Sequence, residues 1–196
     1  MTVPLPRIPD HPWMPTKTAS ALSEFLTGAE TYLEYGVGGS TRLALQSGVN
    51  TIIAVESDRQ YLEAATAMVE ASTQAVHWIP VHVDIGPTGY LGFPKSLKAR
   101  FKWAHYAIAP WSLGVSPDLI LIDGRFRLAC ALTAARHASP GTLLFFDDYA
   151  TRPWYWSARH YLSLVARAGR AAVFEVLDTP DPRLDQAILK AARDPR

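Results

Sequence analysis

Short apolar runs of strand length alternate along this chain with segments of helical period. A chain patterned this way buries its runs as neighbouring strands and lays the helices over the sheet, in βαβ units. The runs are Tyr32–Tyr35, Thr51–Val55, Val76–Val83, Leu119–Ile122, Thr142–Phe146 and Ala171–Leu177. Helices are predicted over about 18–27, from the turn at Gly39 to near Gly48, and over 59–71, 126–137 and 154–168. In the first, Ala21, Leu22, Phe25 and Leu26 share one face. Ser40 or Thr41 is positioned to cap the second helix and Asp58 the third. Ala187–Ala191 is predicted as a last strand, paired with Ala171–Leu177 through the turn Thr179-Pro180-Asp181-Pro182. The expected fold is α/β: a three-layer αβα sandwich around a mostly parallel sheet of about seven strands, the last antiparallel.

A length of 196 residues suits a single domain over 1–196. Two segments stand outside the alternation. Residues 1–17 form a proline-rich extended arm, with Pro4, Pro6, Pro9, Pro12 and Pro15. Residues 85–117 carry scattered glycines, prolines and aromatic residues, among them Phe93, Phe101, Trp103, Tyr106 and Trp111. That stretch reads either as a lid or binding loop, or as a helical insertion packing its aromatics on the sheet. The formal charge of +1 supplies no global field toward nucleic acid or an anionic membrane, so neither is expected as a partner. Cys130 is the only cysteine, which excludes an intrachain disulfide and a cysteine-rich zinc site. No apolar stretch reaches the roughly 18 to 20 residues of a membrane span, and the amino terminus has no signal-peptide pattern. A cytoplasmic protein is the expectation.

The first run leads into Glu34-Tyr35-Gly36-Val37-Gly38-Gly39-Ser40-Thr41. Glycines between a strand and a helix let a ligand approach the backbone, where the helix start offers unpaired N–H groups. A dinucleotide fingerprint would put a third glycine at position 41, where Thr41 stands. An acid two residues before Gly36 suits a cationic ammonium better than a pyrophosphate. These residues resemble the first motif of the class I, Rossmann-like S-adenosylmethionine-dependent methyltransferases. The resemblance implies that Glu34 supports the methionyl end of the cofactor, with Gly36 and Gly38 close beside it and Ser40 and Thr41 at the adjoining helix start. Glu56 closes the second run twenty residues after Gly36, where the family places a carboxylate on the ribose hydroxyls. Asp84 closes the third, where an acid often meets the adenine amino group; its other reading is a turn or helix cap.

A second acidic group follows the next two runs: Asp123-Gly124, then Asp147-Asp148-Tyr149. The arrangement is similar to metal-dependent O-methyltransferases, which implies Mg²⁺ held by Asp123, Asp147 and Asp148 to orient and activate a substrate hydroxyl. Arg125 and Arg127 oppose a cation there, so the alternatives are an ion network with these arginines or Arg152, or Asp123 as a metal-free general base. Arg125, with Arg127, would then recognise an anionic small-molecule acceptor. The expected activity is methyl transfer to a small molecule, through a hydroxyl. Its rivals are a cofactor-binding domain without catalysis and an NAD-linked oxidoreductase. Thr41 and Glu34 disfavour the latter.

Overall fold

A computed structural model describes residues 4–196. Its strands are β1 (Thr31–Tyr35), β2 (Thr51–Glu56), β3 (His77–His82), β4 (Leu119–Ile122), β5 (Leu143–Phe146), β6 (Leu162–Ala168) and β7 (Ala171–Val176). They form one seven-stranded sheet in the order β3-β2-β1-β4-β5-β7-β6. The first five are parallel, and β7 runs antiparallel to both β5 and β6. The helices are α1 (Thr16–Leu26), α2 (Gly39–Gln46), α3 (Arg59–Glu70), α4 (Ala104–Ile108), α5 (Arg127–His137) and α6 (Leu184–Ala191). No helix among the described residues is long and apolar enough to cross a membrane.

The central strands are apolar on both faces because helices cover both. Leu33, Tyr35, Ile120, Ile122, Leu144 and Phe146 pack with α5, Trp103, Tyr106 and Phe126. Their alternates Tyr32, Leu119, Leu121 and Phe145 pack with Leu22 and Leu26 of α1 and Ala44 and Leu45 of α2. Register then fixes where function can sit. Val55, Tyr35, Ile122 and Phe146 are successive partners across four strands. The residues that follow them, Glu56, Gly36, Asp123 and Asp147, therefore emerge side by side along one sheet edge. This is the carboxyl edge of the strands, and the order reverses at β1, where open α/β sheets bind ligands.

The carboxyl-terminal third differs from the sequence expectation. Residues 154–168, predicted as one helix, form a 3₁₀ segment (Pro153–His160) followed by β6. Residues 187–191, predicted as the last strand, belong to α6, and the hairpin partner of β7 is β6. Neither Ser40 nor Thr41 caps α2: the cap position is Gly38, and Thr41 Oγ1 reaches back to accept from the Gly38 N–H at 3.0 Å. Asp58 does cap α3, accepting from the N–H groups of Gln60 and Tyr61. In the 85–117 segment, 3₁₀ turns (Tyr90–Gly92, Leu97–Lys102, Ala109–Leu113) flank α4. Trp103 and Tyr106 are buried, and the Trp103 indole donates to Ile85 O, so the base of the segment packs on the sheet.

Candidate active site

A cavity of about 460 Å³ opens on this edge, bounded by the β1–α2 turn, Glu56, the tip of the 85–117 segment, the β4–α5 turn and the amino-terminal arm. That volume is within the range of small-ligand sites.

In the β1–α2 turn, the alternation that sends Tyr35 to one face sends Glu34 to the other. The Glu34 carboxylate is fully buried and accepts from Thr41 Oγ1 (2.5 Å), Ser40 Oγ (2.9 Å) and Tyr32 OH (3.3 Å). Its partners are hydroxyls, and burial pushes its carboxyl up to about 8 against their opposing effect. Ser40 lies between Glu34 and the cavity, whereas Glu34 and Thr41 themselves do not line it. Gly36 has a φ of +93°, and a side chain there would meet Gly124 Cα at 2.7 Å, so this glycine joins the two turns. Gly38 is extended, and a Cβ on it would project into open space within the cavity wall.

Glu56 lines the cavity with its carboxylate gripped by the backbone. Oε1 accepts from Ser57 N, Asp58 N and Ser57 Oγ, while Oε2 has just the 3.3 Å contact from Val37 N. Burial raises its carboxyl above the ordinary value, and the backbone donors pull it down. Asp84 does not join this group. It lies exposed outside the cavity, paired with Lys102 Nζ (2.5 Å) and capping a turn at Gly86 N, with its carboxyl lowered by Lys102.

At the ends of β4 and β5 the acids meet arginines. Arg127 Nη2 pairs with Asp123 Oδ1 at 2.7 Å, and its Nη1 with Asp148 Oδ2 at 3.1 Å. Arg170 Nη2 pairs with Asp147 Oδ2 at 2.6 Å and its Nε with Asp148 Oδ1 at 3.0 Å, while Arg152 takes Asp148 Oδ2 at 2.6 Å. Asp123, Asp147 and Asp148 are thus neutralised by Arg127, Arg152 and Arg170. A divalent cation does not fit: every carboxylate oxygen of the three acids except Asp123 Oδ2 already accepts from a guanidinium group, and the charge of those groups would repel it. No acidic, histidine or cysteine group suited to a metal is found among the described residues. The expectation of Mg²⁺ is corrected accordingly, and the ion network is the alternative realised. Within it Asp123 differs, its side chain 22% exposed against 0% for Asp147 and 8% for Asp148. Burial holds the Asp123 carboxyl well above its ordinary value; Arg127 opposes this, and Asp147 and Asp148 add to it.

The two arginines of the β4–α5 turn separate. Phe126, with a φ of 53°, turns the chain so that Arg127 enters the acidic network. Arg125 makes no ion pair among the described residues; its guanidinium stacks on Phe93 at 4.1 Å, and its buried Nη1 has no hydrogen-bond partner. It lines the cavity, and burial and Arg127 lower its pKa.

Sequence reasoning missed two parts of this site. Arg170 sits in the β6–β7 turn, in a hairpin that was not expected. The arm supplies Pro9, Pro12 and Trp13 to the cavity wall. It is seated by Ile8 in a cluster with Val37 and Leu62, by the backbone of His11 and Pro12 against Gly39, and by Arg170 Nη2 donating to Trp13 O at 3.0 Å. The repeated prolines signalled an extended chain but not where it would lie.

A mostly parallel sheet reversing at β1, with a glycine turn and carboxylates at its carboxyl edge around one cavity, defines an α/β protein of Rossmann-like architecture with a candidate ligand site at that edge. No family model and no curated protein matches the chain. Among solved structures it is similar to a methyltransferase-like protein from Silicibacter pomeroyi DSS-3, with 34% identity and a TM-score of 0.86, covering 96% of this chain and 99% of that one. An O-methyltransferase from Bacillus cereus in complex with SAH shares the fold at 15% identity and a TM-score of 0.55, covering 87% and 84%. So does an RNA methyltransferase from Salinibacter ruber in complex with S-adenosyl-L-homocysteine, at 14% identity and a TM-score of 0.51, covering 88% and 98%. The chain belongs to the class I S-adenosylmethionine-dependent methyltransferases.

Proposed function

We propose that this chain methylates the hydroxyl of a small, anionic acceptor in the cytoplasm, with S-adenosylmethionine as donor and without a metal. Asp123 carries the reading. Of the acids at the β4–β5 edge that line the cavity it keeps the greater side-chain exposure, and its raised carboxyl suits a general base near neutral pH. The donor fits the opposite wall. Gly38 leaves the space that a bound ligand would fill, and Glu56 Oε2 has acceptor capacity left for ribose hydroxyls. Ser40, held by Glu34, stands where it can accept from the ammonium of the methionyl group. When bound, S-adenosylmethionine supplies a methyl group on a cationic sulfur.

The protein's own part is orientation, exclusion of water and transfer of one proton. Asp123 accepts the proton of the acceptor hydroxyl as that oxygen becomes a nucleophile, and Arg127 holds the carboxylate in place at 2.7 Å. Arg125 is a buried cation without a counter-ion, and an acceptor carboxylate, sulfate or phosphate would supply one. Arg127, expected to share that task, is consumed by the acids. Asp123→Asn tests the reading: turnover should fall by about 10²- to 10⁴-fold while S-adenosylhomocysteine binds as to wild type. Unchanged turnover would remove Asp123 from the chemistry. A wild-type protein that binds the cofactor and methylates no acceptor would be a binding domain instead.

A further inference from the structure

The 85–117 segment has an outer surface that the site does not use. It contains Lys95, Lys98, Arg100 and Lys102 and no acidic residue, so the near-neutral total charge conceals a local excess that the rest of the chain offsets with a surplus of acids. Lys102 is paired with Asp84, whereas Lys95, Lys98 and Arg100 form no ion pair among the described residues. Between these cations stand apolar side chains that the fold leaves out. Tyr90 is 78% exposed, Leu97 68% and Phe101 72%. The segment is not loose, since Trp103 and Tyr106 bury its base in the main core. It holds these side chains outward on a fixed footing.

We infer that the face formed by Tyr90, Leu97 and Phe101 with Lys95, Lys98 and Arg100 docks on an anionic lipid surface. Leucines and aromatics enter the boundary between headgroups and acyl chains, and unpaired lysines and arginines around them are drawn to anionic lipids. Single-stranded nucleic acid fits less well, because it is held by stacking on π faces, which Leu97 and the half-exposed Leu91 lack. A second copy of this face would meet its own positive charge. Leu91, next to Tyr90 in the chain, lines the cavity, so the segment that carries the docking face also borders the cavity mouth. On the methyl-transfer reading, this places the acceptor among amphiphiles at that surface; docking itself does not depend on that reading.

The test is sedimentation of the full chain with phosphatidylcholine vesicles, with and without phosphatidylglycerol, at low and high salt. Wild type should bind only the anionic vesicles and release at high salt. Lys95→Glu, Lys98→Glu and Arg100→Glu combined should weaken that binding by about 100-fold or more. Leu97→Ser, which removes apolar area without adding charge, should weaken it as well, at unchanged salt dependence. Each variant should keep the circular-dichroism spectrum and melting temperature of wild type, which certifies its fold. A folded wild type that ignores anionic vesicles at low salt, or a triple variant that binds them equally, overturns the inference. So does retention of polyuridylate in place of vesicles, which would assign the face to nucleic acid. Loss of methyl transfer alone would leave these readouts untouched.

Discussion

Along one sheet edge, Glu34 and Glu56 are satisfied by hydroxyls and backbone amides, whereas Asp123, Asp147 and Asp148 are satisfied by Arg127, Arg152 and Arg170. Both solutions meet the requirement that buried polar groups be partnered. They leave different things behind. Neutral donors do not cancel the charge of an acid, so the β1–β2 half either keeps negative potential for a cationic ligand or holds a proton. Guanidinium partners cancel it, so the β4–β5 half becomes a neutral frame in which Asp123 stays the most accessible acid. Carboxylates that look equivalent in a sequence thus divide into a half satisfied by neutral donors and a half satisfied by arginines, which the proposed function assigns to ligand and to base respectively.

The comparison breaks most visibly at Arg127. Arg127→Ala leaves buried acids short of a cation and should cost about 3–5 kcal/mol, read as a lowered urea midpoint. A loss no greater than that of an exposed arginine would mean that the acids relax by protonation. The neutral-donor half should show itself through pH. Glu34 has a folded value of about 8, above the roughly 4.3 of an unfolded glutamate, so folding binds its proton. Its contribution is complete below about 4.3 and is lost as pH rises through about 8, a fall on the order of a few kcal/mol. Glu34→Gln should flatten wild-type stability over that window; an unchanged slope would place the titration elsewhere.

Gly38→Val sharpens the boundary between fold and ligand. The backbone there is extended and the space open, so stability should be unaffected, while S-adenosylhomocysteine should bind about 1–3 kcal/mol more weakly by calorimetry. The smallest expected effect is none at all: millimolar Mg²⁺ should not move the melting temperature, because the arginines already occupy the acids. A metal-dependent rise would show that an arginine gives way.

The strand ends were legible because an apolar run closing on a carboxylate states both its type and its end, and strand register aligns Glu56, Gly36 and Asp123. Legibility failed where the signal has two meanings. Leu162–Ala168 is an edge strand with Leu164 and Val165 exposed and an irregularity between Leu164 and Ala166, which erases the period of two. Ala187–Ala191 is a short apolar run of the kind that strands and helices share. The arginines could not be sorted by position, since the positive φ at Phe126 sends Arg127 inward and leaves Arg125 unpaired. Asp84 lies two residues beyond the end of β3, where it pairs with Lys102 of the inserted segment outside the cavity.

The hydrogen bond from Arg170 to Trp13 O joins positions 157 residues apart, and through it the arm completes the cavity wall. A chain leaving the ribosome amino terminus first can therefore seat its arm on Val37, Leu62 and Gly39 early, but cannot make this last tie until the β6–β7 turn has emerged. The β1–α2 turn, Glu56 and Asp123 can be in place by then, with the enclosure still incomplete. Completion of the cavity wall is in this sense a late event of synthesis, set by a closure across most of the chain and not by the residues nearest the cavity floor.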